Sequence, residues 1–116
     1  MREIKLSWLS KENWDKAIED GFLPILAVFK PRRFWKTPIH FPELSPKKYE
    51  TEDLEEAKDL YWNDLTEVDI RRIYHKFDVL AHLASSSGIM IFTCPEKDPF
   101  REVLGQYLST TLGQEI

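Results

Sequence analysis

Apolar residues at Ile70, Ile73, Tyr74, Phe77, Leu80, Ala81 and Ala84 recur at helical spacing. They form the cleanest amphipathic face in the chain. Two further apolar stretches have no such period. Phe22–Phe29, reading FLPILAVF, and Ile89–Thr93, reading IMIFT, are continuous and of strand length, the pattern of strands buried on both faces. Pro24 lies near the beginning of the first, where a missing ladder donor matters least. Arg2–Ser7 alternates loosely and predicts a first strand. A first helix then starts from Ser10 as N-cap, with Leu9 and Trp14 placed as a hydrophobic staple. Trp14, Ala17 and Ile18 make its apolar face, and Gly21 is the C′ residue that ends it.

Between Lys30 and Tyr49 the prolines Pro31, Pro38, Pro42 and Pro46 argue against regular structure. A loop of about twenty residues is uncommon in a compact domain and points to function or mobility. Thr51 and Thr66 are read as caps of two helices. The first carries Leu54, Ala57, Leu60 and Tyr61 on one face and exposes Glu52, Glu55, Glu56 and Asp59 on the other. The second carries the amphipathic face from Ile70 to Ala84 and is stopped by Ser85-Ser86-Ser87-Gly88. After IMIFT, Asp98 caps a last helix with Pro99 at N1. Val103, Leu104, Tyr107, Leu108, Thr111 and Leu112 face the core there, and Gly113 terminates it.

Buried strands each approached by a helix imply an α/β fold. The expected architecture is one domain over residues 1–116, with a small, at least partly parallel sheet of about three strands flanked by about four helices. FLPILAVF and IMIFT then deliver Lys30-Pro31 and Cys94-Pro95 to the same sheet edge, where open α/β sheets bind ligands.

The chain has 116 residues and one cysteine, so no internal disulfide forms and a reducing compartment suits it. The N-terminal residues lack the apolar run of a signal peptide, and Phe22–Phe29 is far too short to span a bilayer. These features predict a cytoplasmic protein with no membrane partner, no metal and no cofactor. Net charge is −4, mildly against a protein that coats nucleic acid, but the charges are segregated. Lys30, Arg32, Arg33, Lys36, Lys47 and Lys48 are opposed only by Glu43 within Lys30–Lys48, whereas Tyr49–Asp69 holds nine acidic residues against Lys58 alone. Either the two segments neutralise each other or the basic arm meets an anionic partner.

Cys94 is followed by Glu96, Lys97 and the last helix, with Arg101 on its first turn. Free backbone N–H groups, the helix dipole and two cations make an anion site, although Asp98 competes for one of those donors. The same surroundings lower a thiol pKa, while the commoner role of a free cysteine is a small buried apolar residue. His75 and His82 are about two turns apart, too far to share a metal, and read as surface residues. His40 alone is kept as a site member. The loop interleaves its cations with Phe34, Trp35, His40, Phe41 and Tyr49, a combination suited to stacking bases and holding phosphates. No Gly-rich phosphate loop, Ser-His-Asp order or paired-carboxylate motif occurs.

The segments VFKPRRFW, FPELSPKKY, Tyr61 and IFTCPEKDPFREVLGQYL, in this order and spacing, resemble the domain of unknown function 488 family in its short members. The resemblance covers nearly the whole chain and implies a small α/β domain. It departs at one point. The family's Cys-His-Arg triplet at the start of the last helix is represented here by Phe100-Arg101, with the Cys and His missing. No activity is implied by the family.

The preferred reading is an anion pocket at the C-terminal edge of the sheet for a nucleotide or a nucleic-acid end. Cys94, Glu96, Lys97 and Arg101 line one side and Arg32, Arg33, Trp35 and Ser45 the other. The alternative is a non-catalytic protein–protein interaction module that uses the acidic helix face. A third reading makes Cys94 a nucleophile assisted by Glu96 or His40.

Overall fold

The structure, a computed structural model, describes residues 3–27, 39–93, 98–114 and 116. Strands β1 (Glu3–Trp8), β2 (Phe22–Leu26), β3 (Ile39–His40) and β4 (Gly88–Thr93) and helices α1 (Lys11–Glu19), α2 (Leu54–Thr66), α3 (Ile70–Leu83) and α4 (Phe100–Leu112) follow in the order β1-α1-β2-β3-α2-α3-β4-α4, and Pro42–Leu44 forms a 3-10 turn. The strands make one sheet in the order β1-β4-β2-β3. All three pairings are parallel. The α/β fold with a parallel sheet is as the apolar pattern implies, with one strand more.

Pleating divides the strand residues between two cores. Leu26 and Phe92 pack with Ala17, Trp14 and Leu9 beneath α1. Ile4, Ile25, Ile89 and Ile91 point the other way, into a larger core with Tyr61, Leu65, Ile73, Phe77, Leu104 and Leu108 from α2, α3 and α4. The connection β1–α1–β2 crosses β4 in one direction, and β3–α2–α3–β4 returns in the other. Right-handed crossovers running in opposite directions place their helices on opposite faces, which accounts for the two layers.

Several local signals act as read. Ser10 caps α1 by accepting from the Asn13 N–H (3.1 Å), Gly21 follows with φ +86°, and Gly113 ends α4 in the left-handed conformation. At α4 the reading shifts by one residue: Pro99 is the N-cap and not N1, and Asp98 stands just outside, its carboxylate accepting from the Phe100 N–H (2.9 Å).

Other expectations are corrected. The Pro-rich stretch contains β3 and the 3-10 turn, because Leu26 still has an open edge and its carbonyl accepts from the Phe41 N–H (2.8 Å). Pro24 lies inside β2, not at its margin. Ala27 donates to β4, so by alternation residue 24 directs its missing N–H to the β3 side. There β3 pairs only with Ile25 and Leu26, and no donor is lost. The caps of α2 and α3 are Asp53 and Asp69. Thr51 stands just outside, accepting from the Asp53 N–H. Thr66 ends α2, since the buried series Ala57, Tyr61 and Leu65 carries that helix through it. Ile18, Leu54 and Leu60, expected on buried faces, are exposed. Each sits at the margin of its apolar stripe, and among the described residues no neighbouring element covers that margin. No helix among the described residues is long and apolar enough to cross a membrane.

Candidate functional site

β1 and β4 are adjacent, yet the helices that follow them leave toward opposite faces. Between such strands the sheet opens a crevice at its C-terminal edge, the switch point at which α/β sheets hold ligands. The strand ends are tied there by the Leu9 N–H to the Thr93 carbonyl (3.0 Å) and by the Thr93 hydroxyl to the Ser7 carbonyl (3.3 Å). The Asn13 side chain, from α1, donates to the Trp8 carbonyl (3.1 Å). Trp8 has the same parity as Ile4 and therefore faces the α4 side of the sheet. Its indole is 37% exposed, and the Arg101 guanidinium lies over it, 5.5 Å from the ring centroid.

The mouth thus carries an aromatic plane, a guanidinium and the Asp98 carboxylate, which accepts from the Phe100 N–H. Arg101 is a cation in the first turn of α4, where the helix dipole disfavours positive charge. Trp8 offsets part of that cost through its ring face.

Of the residues assigned to the site from sequence, Arg32, Arg33, Trp35, Cys94, Glu96 and Lys97 lie outside the described residues, and with them the expected burial of Cys94. Arg101 stands at the mouth. Ser45 is buried, and its hydroxyl donates to the Pro46 carbonyl (3.1 Å). One buried bridge connects its neighbourhood to the start of α4. The Tyr61 hydroxyl donates to the Leu44 carbonyl (2.6 Å), and the Tyr61 ring meets Phe100 edge-on at 5.6 Å. His40 lies on β3, half-buried, while His75 and His82 are exposed on α3. Among the described residues, no three His, Cys, Asp or Glu side chains are grouped to hold a metal.

Trp8 was not among the sequence-assigned site residues. Its signal is positional: a strand over residues 2–7, if parallel to the other two, ends at the same edge.

Glu52, Glu55, Glu56 and Asp59 are exposed. Glu55 and Asp59 border an open groove of about 400 Å³ between α2 and α4, with Lys58, Trp62, Glu102, Val103 and Gln106. Tyr49 fastens the segment leading into α2 by donating to Asp64 (2.8 Å). Burial and then that hydrogen bond push its pKa up to about 12. Burial likewise raises the pKa of Tyr74 and Tyr107.

No protein-family model matches the chain, and no curated protein or solved structure matches it.

Proposed function

We propose that this protein is a small cytoplasmic α/β domain that binds a phosphate-bearing ligand, a nucleotide or a nucleic-acid end, at the β1/β4 mouth. The observation that carries the reading is the pairing of Arg101 with Trp8 at the switch point. A guanidinium offers a bidentate donor to a phosphate oxygen pair, and an indole offers a stacking plane for a base. Lys97, Cys94 and Glu96, adjacent in sequence to this mouth, and Arg32, Arg33, Trp35 and Ser45 are the remaining residues of the proposed site. Membership of the domain of unknown function 488 family is part of the same proposal and rests on the segments quoted above.

Melting curves test it. A ligand that binds only the folded state at ten times its Kd stabilises by ~1.4 kcal/mol. Millimolar phosphate or nucleotide should therefore raise Tm by several degrees over chloride at equal ionic strength, and Arg101→Ala should remove the difference. Coincident curves for the wild-type protein in the three anions would sink the reading.

The groove between α2 and α4 supports a second reading, a basic peptide partner. Glu55, Asp59 and Glu102 supply charge there, and Trp62 supplies an apolar floor. Binding of a Lys/Arg-rich peptide that survives Glu55→Gln with Asp59→Asn would exclude that groove.

A further inference from the structure

The two edges of the sheet differ in a way that the proposed ligand site does not explain. Natural sheets keep edge strands from pairing with other chains by making them short, by placing Pro or bulges in them, or by covering them. β3, at one edge, is two residues long. β1, at the other, is six residues long, unbulged in its register with β4 and free of proline. Among the described residues no strand lies outside it.

The direction of its hydrogen-bonding groups follows from alternation. The Leu9 N–H reaches Thr93 on β4, so Ile4 and Leu6 direct both N–H and C=O away from the sheet. Trp8 has the same parity, but its carbonyl already accepts from Asn13. Lys5 and Glu3 project on the α1 face, more than half exposed, with Nζ and Oε1 3.5 Å apart. A lone lysine here would guard the edge. A lysine and a glutamate flanking one outward-directed residue are instead complementary to themselves after a twofold rotation.

We propose that β1 pairs antiparallel with β1 of a second copy of this chain, with Ile4 on the twofold axis opposite the partner's Ile4. Hydrogen-bonded pairs in an antiparallel ladder form between residues that both aim outward, which permits this register. It sets Glu3 opposite the partner's Lys5 and Lys5 opposite the partner's Glu3. Both are non-hydrogen-bonded pairs, in which side chains approach most closely. The neighbouring register, Ile4 opposite the partner's Leu6, would confront Lys5 with the partner's Lys5. The register centred on Leu6 would require the Trp8 carbonyl that Asn13 holds.

The helix layer fits the same arrangement. An open groove of about 720 Å³ runs beside this edge, lined by Leu6, Arg101, Gly105, Gln106, Ser109 and Ile116 among others. Gly105, where an added Cβ would stand 3.3 Å from Leu6 Cδ2, brings α4 close to the edge strand. The pairing is isologous and closes at two copies.

Sedimentation over a concentration series tests the proposal on wild-type protein, Glu3→Lys, Lys5→Glu and the double exchange. All three variants change exposed side chains only, and circular dichroism checks that each is folded. The wild-type chain should dimerise, each single variant should weaken dimerisation at least tenfold by creating two like-charge pairs, and the double variant should return to the wild-type constant. A monomeric wild-type protein, single variants that dimerise normally or a double variant that is not rescued would each overturn the proposal.

Discussion

Tyr61 offers the sharpest test of how the segment before α2 is held against the start of α4. Its side chain is 1% exposed, its hydroxyl donates to the Leu44 carbonyl at 2.6 Å, and Leu44 is itself 0% exposed. Tyr61→Phe keeps the ring and its contact with Phe100 but deletes the donor. The expected cost is that of a buried carbonyl deprived of its hydroxyl donor, about 1–3 kcal/mol. For a domain of this size that corresponds to roughly 4–12 °C in Tm. Tyr74→Phe is the comparison. It removes a hydroxyl 2.5 Å from Thr111 Oγ1, but Thr111 is exposed and also bonds the Tyr107 carbonyl (3.0 Å), so water replaces the lost partner and the cost stays near 1 kcal/mol or less. Both variants are followed by thermal and urea unfolding monitored by circular dichroism. Equal losses, or a Tyr61→Phe loss below about 1 kcal/mol, would refute the reasoning, because burial of the orphaned acceptor would then not decide the outcome.

Two further outcomes follow from the same physics. Gly88→Ala should cost about 1–3 kcal/mol by overpacking, because its Cβ would stand 2.4 Å from the Glu3 carbonyl and 2.8 Å from Phe22 Cε1; a urea midpoint unchanged from wild type would contradict it. Tyr49 ionises at about 12 in the folded chain against 10.0 for the ordinary phenol. The unfolded chain therefore loses that proton first, and the contribution of Tyr49 to stability is complete below pH 10 and lost as pH rises toward 12. Asp64→Asn should lower the folded value without restoring it fully, since burial remains; a tyrosinate absorbance titration identical in the two proteins would show that Asp64 has no part in it.

Local chemistry along the chain was enough to establish the elements that depend on neighbours in sequence. Ser10, Gly21 and Gly113 mark helix ends through backbone groups within a few residues, and the stripe from Ile70 to Ala81 needs only helical geometry to form a face. Parallel pairing of Phe22–Leu26 with Ile89–Thr93 was also legible, because strands apolar on both faces must be covered by helices on both. What remained hidden depends on partners distant in the chain. β3 exists because Leu26 presents an open carbonyl across the sheet, which no pattern in a proline-rich segment can announce. Ile18, Leu54 and Leu60 have helical spacing but stay exposed among the described residues, and spacing alone does not reveal which margin of a stripe meets the core. Arg101 was legible as a cation on the first turn of the last helix. That it lies over Trp8 was decided by tertiary structure, when β1 joined the sheet beside β4 and brought the two ends of the chain to one mouth.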